Sequence, residues 1–242
     1  PTARIPFHAL MHGGRALVDD HDVYSSPSVA FWQRGVLDPA TPSRRSVALG
    51  TAHDIDAPVE CGTIARILRE LSGFECAVID DTGGVGRVLL PPNGRYKDEL
   101  AVLHVAAHGK AIPYPDHMSS FIEFDDLCVT AREWLVHGPR AQFVFVNCCF
   151  LGRQASRAGD LYGMPFAILG SGTRSAVLAM APVEPAFARG FAKLFYQNVV
   201  DGLGKAAACS GAMRSAIANG TPRRGWVPYF FLGDAAPLNA GG

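Results

Sequence analysis

Two apolar runs constrain this chain more than anything else in it. His104-Val105-Ala106-Ala107-His108-Gly109 and Phe145-Val146-Asn147-Cys148-Cys149-Phe150-Leu151-Gly152 each read as a buried strand that delivers a reactive side chain and then breaks at a glycine. His108 and Cys149 stand 41 residues apart, enough for one hairpin and one helical crossover between neighbouring strands. A thiol and an imidazole at adjacent strand ends make a nucleophile-and-base pair suited to acyl transfer.

The rest of the chain supplies the layers around such a pair. Residues 1–43, rich in Gly, Pro, His and Asp, read as a lead-in with a turn at Gly13-Gly14. Ser46-Val47-Ala48-Leu49-Gly50 is a compact strand, and Pro58 fits the first turn of a helix running to about Ser72, with Ile64, Ile67, Leu68 and Leu71 at helical spacing. Glu75 to Asp80 is a second strand, closed by a loop at Asp81-Thr82-Gly83-Gly84, and Gly94 to about Leu100 suits a short helix. Ser120 to Asp125 alternates as half of a hairpin, and Thr130 with Glu133 forms a capping box for a helix to about His137. The cysteine strand spans Gln142 to Cys149, followed by a polar loop over 153–163 and short strands at Phe166–Gly170 and Ser175–Ala179. Helices from Pro185 to about Val200 and from about Gly204 to Asn219 precede a closing strand at Trp226–Leu232. Strands alternating with helices predict an α/β domain with a mainly parallel sheet, whose reactive groups gather at the carboxyl ends of the strands.

Composition narrows the partners. Lys+Arg and Asp+Glu are equal at 22 each, so no charge excess invites nucleic acid or an anionic membrane. No apolar run approaches a membrane span, and no signal-peptide pattern opens the chain. Its six cysteines are scattered through predicted strands and helices, without a C-x-x-C pair or zinc-ligand spacing. That reads as reduced thiols in a cytoplasm-like compartment, with neither metal nor cofactor expected. The chain begins at Pro1 in sequence that already looks structured, which reads as a fragment or processed piece of a longer polypeptide.

The site residues carry bland alternatives. A cysteine in an apolar strand is most often a small buried hydrophobe, and His108-Gly109 alone is a weak signal. Together at successive strand ends they point to a cysteine peptidase. His104, inside its strand, reads as a satisfied core histidine, and Cys148 as packing on the face opposite Cys149. Gly109 is expected to let the backbone approach a substrate carbonyl, so that its N–H and that of Cys149 form an oxyanion hole. Gly152 is expected to permit the turn that exposes the sulfur. Gly83-Gly84-Val85-Gly86 resembles a nucleotide loop only superficially, because no Lys-Ser/Thr follows.

Several segments then match in order. Ile5-Pro6-Phe7-His8-Ala9-Leu10 with Tyr24-Ser25-Ser26-Pro27-Ser28, His104 to Gly109, Val144 to Gly152, Gly172-Thr173-Arg174-Ser175-Ala176-Val177, Phe195-Tyr196 and Pro228 to Asp234 together resemble a CHAT domain. That is a caspase-like peptidase of the group that also holds caspases, metacaspases and separase. The resemblance covers nearly the whole chain. It implies a caspase-like three-layer sandwich, with residues 1–43 as lead-in and 44–242 as catalytic core. It makes His108 the base and Cys149 the nucleophile. It also implies an upstream regulatory region, often TPR repeats, and cleavage of a protein partner, with activity gated by loops such as 110–119 and 153–163. In metacaspases the position two before the nucleophile is an aspartate that favours a basic P1 residue, the one on the N-terminal side of the cut bond. Asn147 is neutral, so the resemblance implies a less strictly basic preference; Asp160 or Glu184 could restore the charge from the loops that follow, although each reads first as a solvated loop carboxylate. A catalytically silent CHAT-like binding module and, further behind, a thioester-forming acyltransferase are the competing functions.

Overall fold

The computed structural model describes residues 6–26, 28, 31, 33, 43–71, 73–94, 96, 98–113, 115–152, 155–157 and 160–238, with backbone alone at 155–157 and 160–162. A hairpin of β1 (Met11–His12) and β2 (Arg15–Ala16) turns on Gly13 and Gly14, whose φ of 58° and 83° suit glycine, and leads into α1 (Leu17–Asp20). Next come β3 (Arg45–Leu49), α2 (Ala57–Leu68), β4 (Glu75–Ile79), α3 (Thr82–Leu89) and β5 (Leu100–Ala106). A small antiparallel sheet of β6 (His108–Lys110), β7 (Phe121–Phe124) and β8 (Leu127–Thr130) leads to α4 (Ala131–His137) and β9 (Ala141–Asn147). The remaining elements are the hairpin β10 (Ala155–Arg157) and β11 (Asp160–Tyr162), α5 (Met164–Gly170), β12 (Ser175–Ala179), α6 (Pro185–Val200), α7 (Lys205–Ala218) and β13 (Tyr229–Gly233).

The central sheet has six strands in the order β13-β12-β9-β5-β3-β4, parallel except for β13, which runs antiparallel on β12. Its side chains alternate between two helical layers. Ala48, Val102, Phe143, Phe145 and Val177 join buried residues of α2, α6 and α7 on one face, while Leu49, Leu103, Val144, Val146 and Leu178 join those of α3, α4 and α5 on the other. Such strands are buried on both sides, which is why they read as unbroken apolar runs. Phe143 stacks on Phe195 at 4.9 Å between ring centres and Phe191 on Tyr229 at 4.0 Å, so aromatic contacts fasten α6 to the middle of the sheet.

The lead-in is docked on this core. Ser25 exchanges two backbone hydrogen bonds with the outer edge of β13, through Phe231 and Gly233, and His8 Nε2 lies 2.9 Å from the Val227 carbonyl. Burial lowers the His8 pKa, the hydrogen bond to Val227 opposing it.

Four expectations need correction. Phe166–Gly170 belongs to helix α5, entered through Pro165 in its first turn with Gly163 at φ 90°. Five apolar residues carry no period that separates helix from strand. Gly83, Gly84 and Gly86 lie inside helix α3, capped by Asp81, whose carboxylate accepts the Gly84 N–H at 2.7 Å. A Cβ at Gly84 meets Ile79 Cγ2 at 2.5 Å, so these glycines allow helix-on-strand contact where composition suggested a loop. Among the described residues of 94–100 none is helical, and Leu100 already starts β5; Arg95 and Lys97 lie outside the described residues. Within the 153–163 stretch, 155–157 and 160–162 pair as the antiparallel strands β10 and β11.

Candidate active site

The register of the two central strands sets the site. Ala106 of β5 pairs with Asn147 of β9 as the last matched position, and His108 and Cys149 each follow two residues after it. At Ala107 the chain leaves the sheet, and His108 opens β6 opposite Glu123. After Cys149 the chain turns through Phe150, a non-glycine residue at φ 64°, and Gly152 N–H donates to the Ala179 carbonyl at 2.8 Å.

Both glycines sit where a side chain would collide with the neighbouring turn or strand. A Cβ at Gly109 meets the Cys149 carbonyl oxygen at 2.5 Å and Leu151 Cγ at 2.8 Å, so its bare backbone admits the cysteine turn. Gly152 gives way to the Phe230 ring and the Ala179 backbone, while the left-handed conformation falls on Phe150.

His108 Nε2 donates to Asp54, 2.9 Å from one carboxylate oxygen and 3.1 Å from the other. A carboxylate only accepts, so Nε2 is a proton-bearing nitrogen, and in the neutral ring this tautomer leaves the lone pair on Nδ1. Asp54 lies in a short 3-10 turn, His53–Ile55, tethered by Arg189 of α6, whose Nη1 donates to the Ile55 carbonyl and to Asp56, each at 3.1 Å. Cys149 Sγ approaches the Val183 carbonyl at 3.9 Å. His108, Cys149, Asn147, Glu60, Ile55, Val183 and Tyr229 are among the residues that line one narrow pocket. Cys148, buried on the α3–α5 side, has its thiol pKa pushed well up by desolvation, which leaves it inert.

Beneath the pocket lies a buried polar cluster. Glu60 Oε1 is 3.0 Å from His104 Nε2 and 2.6 Å from Asn147 Nδ2, Tyr196 Oη is 3.3 Å from His104 Nδ1, and Tyr229 Oη donates to Asn147 Oδ1 at 2.7 Å. His104 is thus a satisfied core histidine, as its place inside the strand implied.

Of the specificity residues expected from the sequence, Asn147 lines the pocket. Glu184 sits exposed before α6, between the lining residues Val183 and Pro185 but not among them. The side chain of Asp160 lies outside the described residues. Sequence reasoning missed Asp54 and Glu60. Nothing local marks Asp54, but Glu60 stands four residues before Ile64 on the buried stripe of α2, and a charge at a core position is itself a signal. Among the described residues no cluster of His, Cys, Asp and Glu suits a metal, and no helix is long and apolar enough to cross a membrane.

A mostly parallel sheet between two helical layers is the fold of caspase-like cysteine proteases. Solved structures bear out the fold. Gingipain R, an arginine-specific cysteine proteinase, is similar at 11% identity and a TM-score of 0.50, over 81% of this chain and 46% of its own. A structure described only as a protease is similar at 10% identity and a TM-score of 0.54, over 87% of this chain and 51% of its own. Separase of Saccharomyces cerevisiae, solved with securin, is similar at 11% identity and a TM-score of 0.54, over 89% of this chain and 14% of its own. The chain therefore spans about half the length of the first two and a small part of the third. No curated protein sequence matches. The CHAT domain matches residues 2–234, and the chain belongs to that family.

Proposed function

We propose that this chain is the catalytic unit of a cysteine endopeptidase, with Cys149 as nucleophile and His108 as base. One observation carries the reading: the two residues each follow the carboxyl end of one of two adjacent parallel strands, and both line the same pocket. His108 Nδ1 takes the proton of Cys149 Sγ as sulfur bonds to the scissile carbonyl carbon. The oxyanion is received by the backbone N–H groups of Gly109 and Cys149. Collapse breaks the C–N bond, and the imidazolium gives its proton to the departing amine. Water then attacks the thioester with His108 again as base, releasing the new carboxyl terminus and the free thiol.

The contact of Cys149 with the Val183 carbonyl supports a resting state in which the thiol is not yet aligned with the ring. Activation by an upstream TPR-type region or a partner protein accords with it, as does a protein substrate; separase was itself solved with a protein, securin. Six free thiols suit a reducing, cytoplasm-like compartment. An electrophilic peptide probe tests the reading: label is expected on the activated protein, lost in Cys149→Ala and kept in Cys148→Ala. Absence of label favours a silent CHAT-like binding module.

A further inference from the structure

The cluster beneath the pocket has a direction. Burial pushes the Tyr196 and Tyr229 phenols well up, so each stays a neutral O–H donor. Tyr229 donates to Asn147 Oδ1, which turns the amide N–H toward Glu60 Oε1. On the other side Tyr196 meets His104 Nδ1. With the hydroxyl donating there, His104 carries its proton on Nε2 and donates that N–H to Glu60 Oε1; the reverse leaves a fully buried O–H without an acceptor. Both branches therefore end as donors on one oxygen of one carboxylate.

Apart from His104, that carboxylate has no basic partner among the described residues. Glu60 is 5% exposed, and among the described residues no lysine or arginine pairs with it. Oε2 has no hydrogen-bond partner among the described residues, and Glu60 lines the same pocket as Cys149. A buried acceptor-only group held by converging donors is costly unless a positive charge joins it, and the pocket is the open side.

We infer that Glu60 is the receptor for a cationic P1 side chain, so that the substrate is cut after arginine or lysine. The assignment rests on the peptidase reading and deepens it. Asn147, neutral and two residues before the nucleophile, is then the donor that orients the counter-charge, which is supplied from α2.

Peptidyl acyloxymethyl ketones that differ only at P1 test this on the activated protein, read as the rate of Cys149 labelling. Arginine is paired with citrulline and lysine with norleucine, each a neutral analogue of similar shape. The cationic member is expected to label on the order of 100-fold faster, the scale of a desolvated charge pair. Glu60→Gln keeps an Oε1 acceptor for both donors, and in it the ratio is expected to fall to near one. A ratio near one in the unaltered chain overturns the assignment while leaving the peptidase reading intact, because Cys149 still reacts; this arm needs no variant to fold. A cationic preference that survives in Glu60→Gln also overturns it. No labelling by any of the four, with Cys149 still alkylated by iodoacetamide, removes the peptidase reading and this assignment together.

Discussion

At the scale of single residues, Asp54 is the position whose chemistry is easiest to isolate. It fixes which ring nitrogen of His108 bears the proton, yet side-chain exposures of 47% and 69% mean the pair adds little to stability. Asp54→Asn is therefore expected to lower kcat about 10- to 100-fold, with KM and the melting temperature nearly unchanged. Asp54→Glu should recover part of the loss. Equal rates for Asp54→Asn and the unaltered protein would show that the ring is oriented by something else. Gly109 behaves differently, because a methyl group there collides with the Cys149 carbonyl. Gly109→Ala is expected to cost about 1–3 kcal/mol in urea denaturation and to abolish labelling of Cys149, since the cysteine turn must shift.

At the scale of elements, local signals with a mechanism were legible and tertiary ones were not. Thr130 and Glu133 exchange both capping-box hydrogen bonds, at 3.2 Å and 2.8 Å, and α4 starts one residue later as the spacing predicts. Thr130→Ala is expected to destabilise the protein by about 1 kcal/mol, seen as a lower urea midpoint, without touching the labelling of Cys149. Pro185 likewise marks the start of α6, and the apolar runs of β5 and β9 mark the strands that carry the site. By contrast α3 is built on glycines, which score against a helix until the contact with Ile79 is known. Phe166–Gly170 had no period to read. Asp54 and Glu60 meet partners 54, 44 and 87 residues away, a distance no window along the chain spans. His108 and Cys149 were legible because a polar, reactive residue at the end of a buried strand is conspicuous against its neighbours.

At the scale of the whole molecule, the buried thiols link folding to alkaline pH. Burial raises Cys76 to about 11 and Cys209 to about 12, and lifts Cys61 and Cys148 above their ordinary value of 9.0. Below pH 9 both folded and unfolded chains keep these protons, so the thiols contribute no pH dependence. Between pH 9 and the folded values, the unfolded chain releases protons that the folded one retains, and stability must fall as pH rises. Each thiol contributes about 1.4 kcal/mol per pH unit in that window, so four of them rival the whole stability of an ordinary domain within one unit. On the acid side His8 acts in the opposite sense: burial holds it below 6.5, and the unfolded chain takes up a proton the folded one refuses as pH drops. Urea midpoints measured between pH 8 and 10 under reducing conditions are expected to fall steeply above 9. Cys209→Ala should flatten that slope by one thiol's share. A midpoint constant to pH 10 would mean that the sheet tolerates thiolates in its core, and with them a far more polar interior than the aromatic stack of Phe143, Phe195 and Phe231 allows.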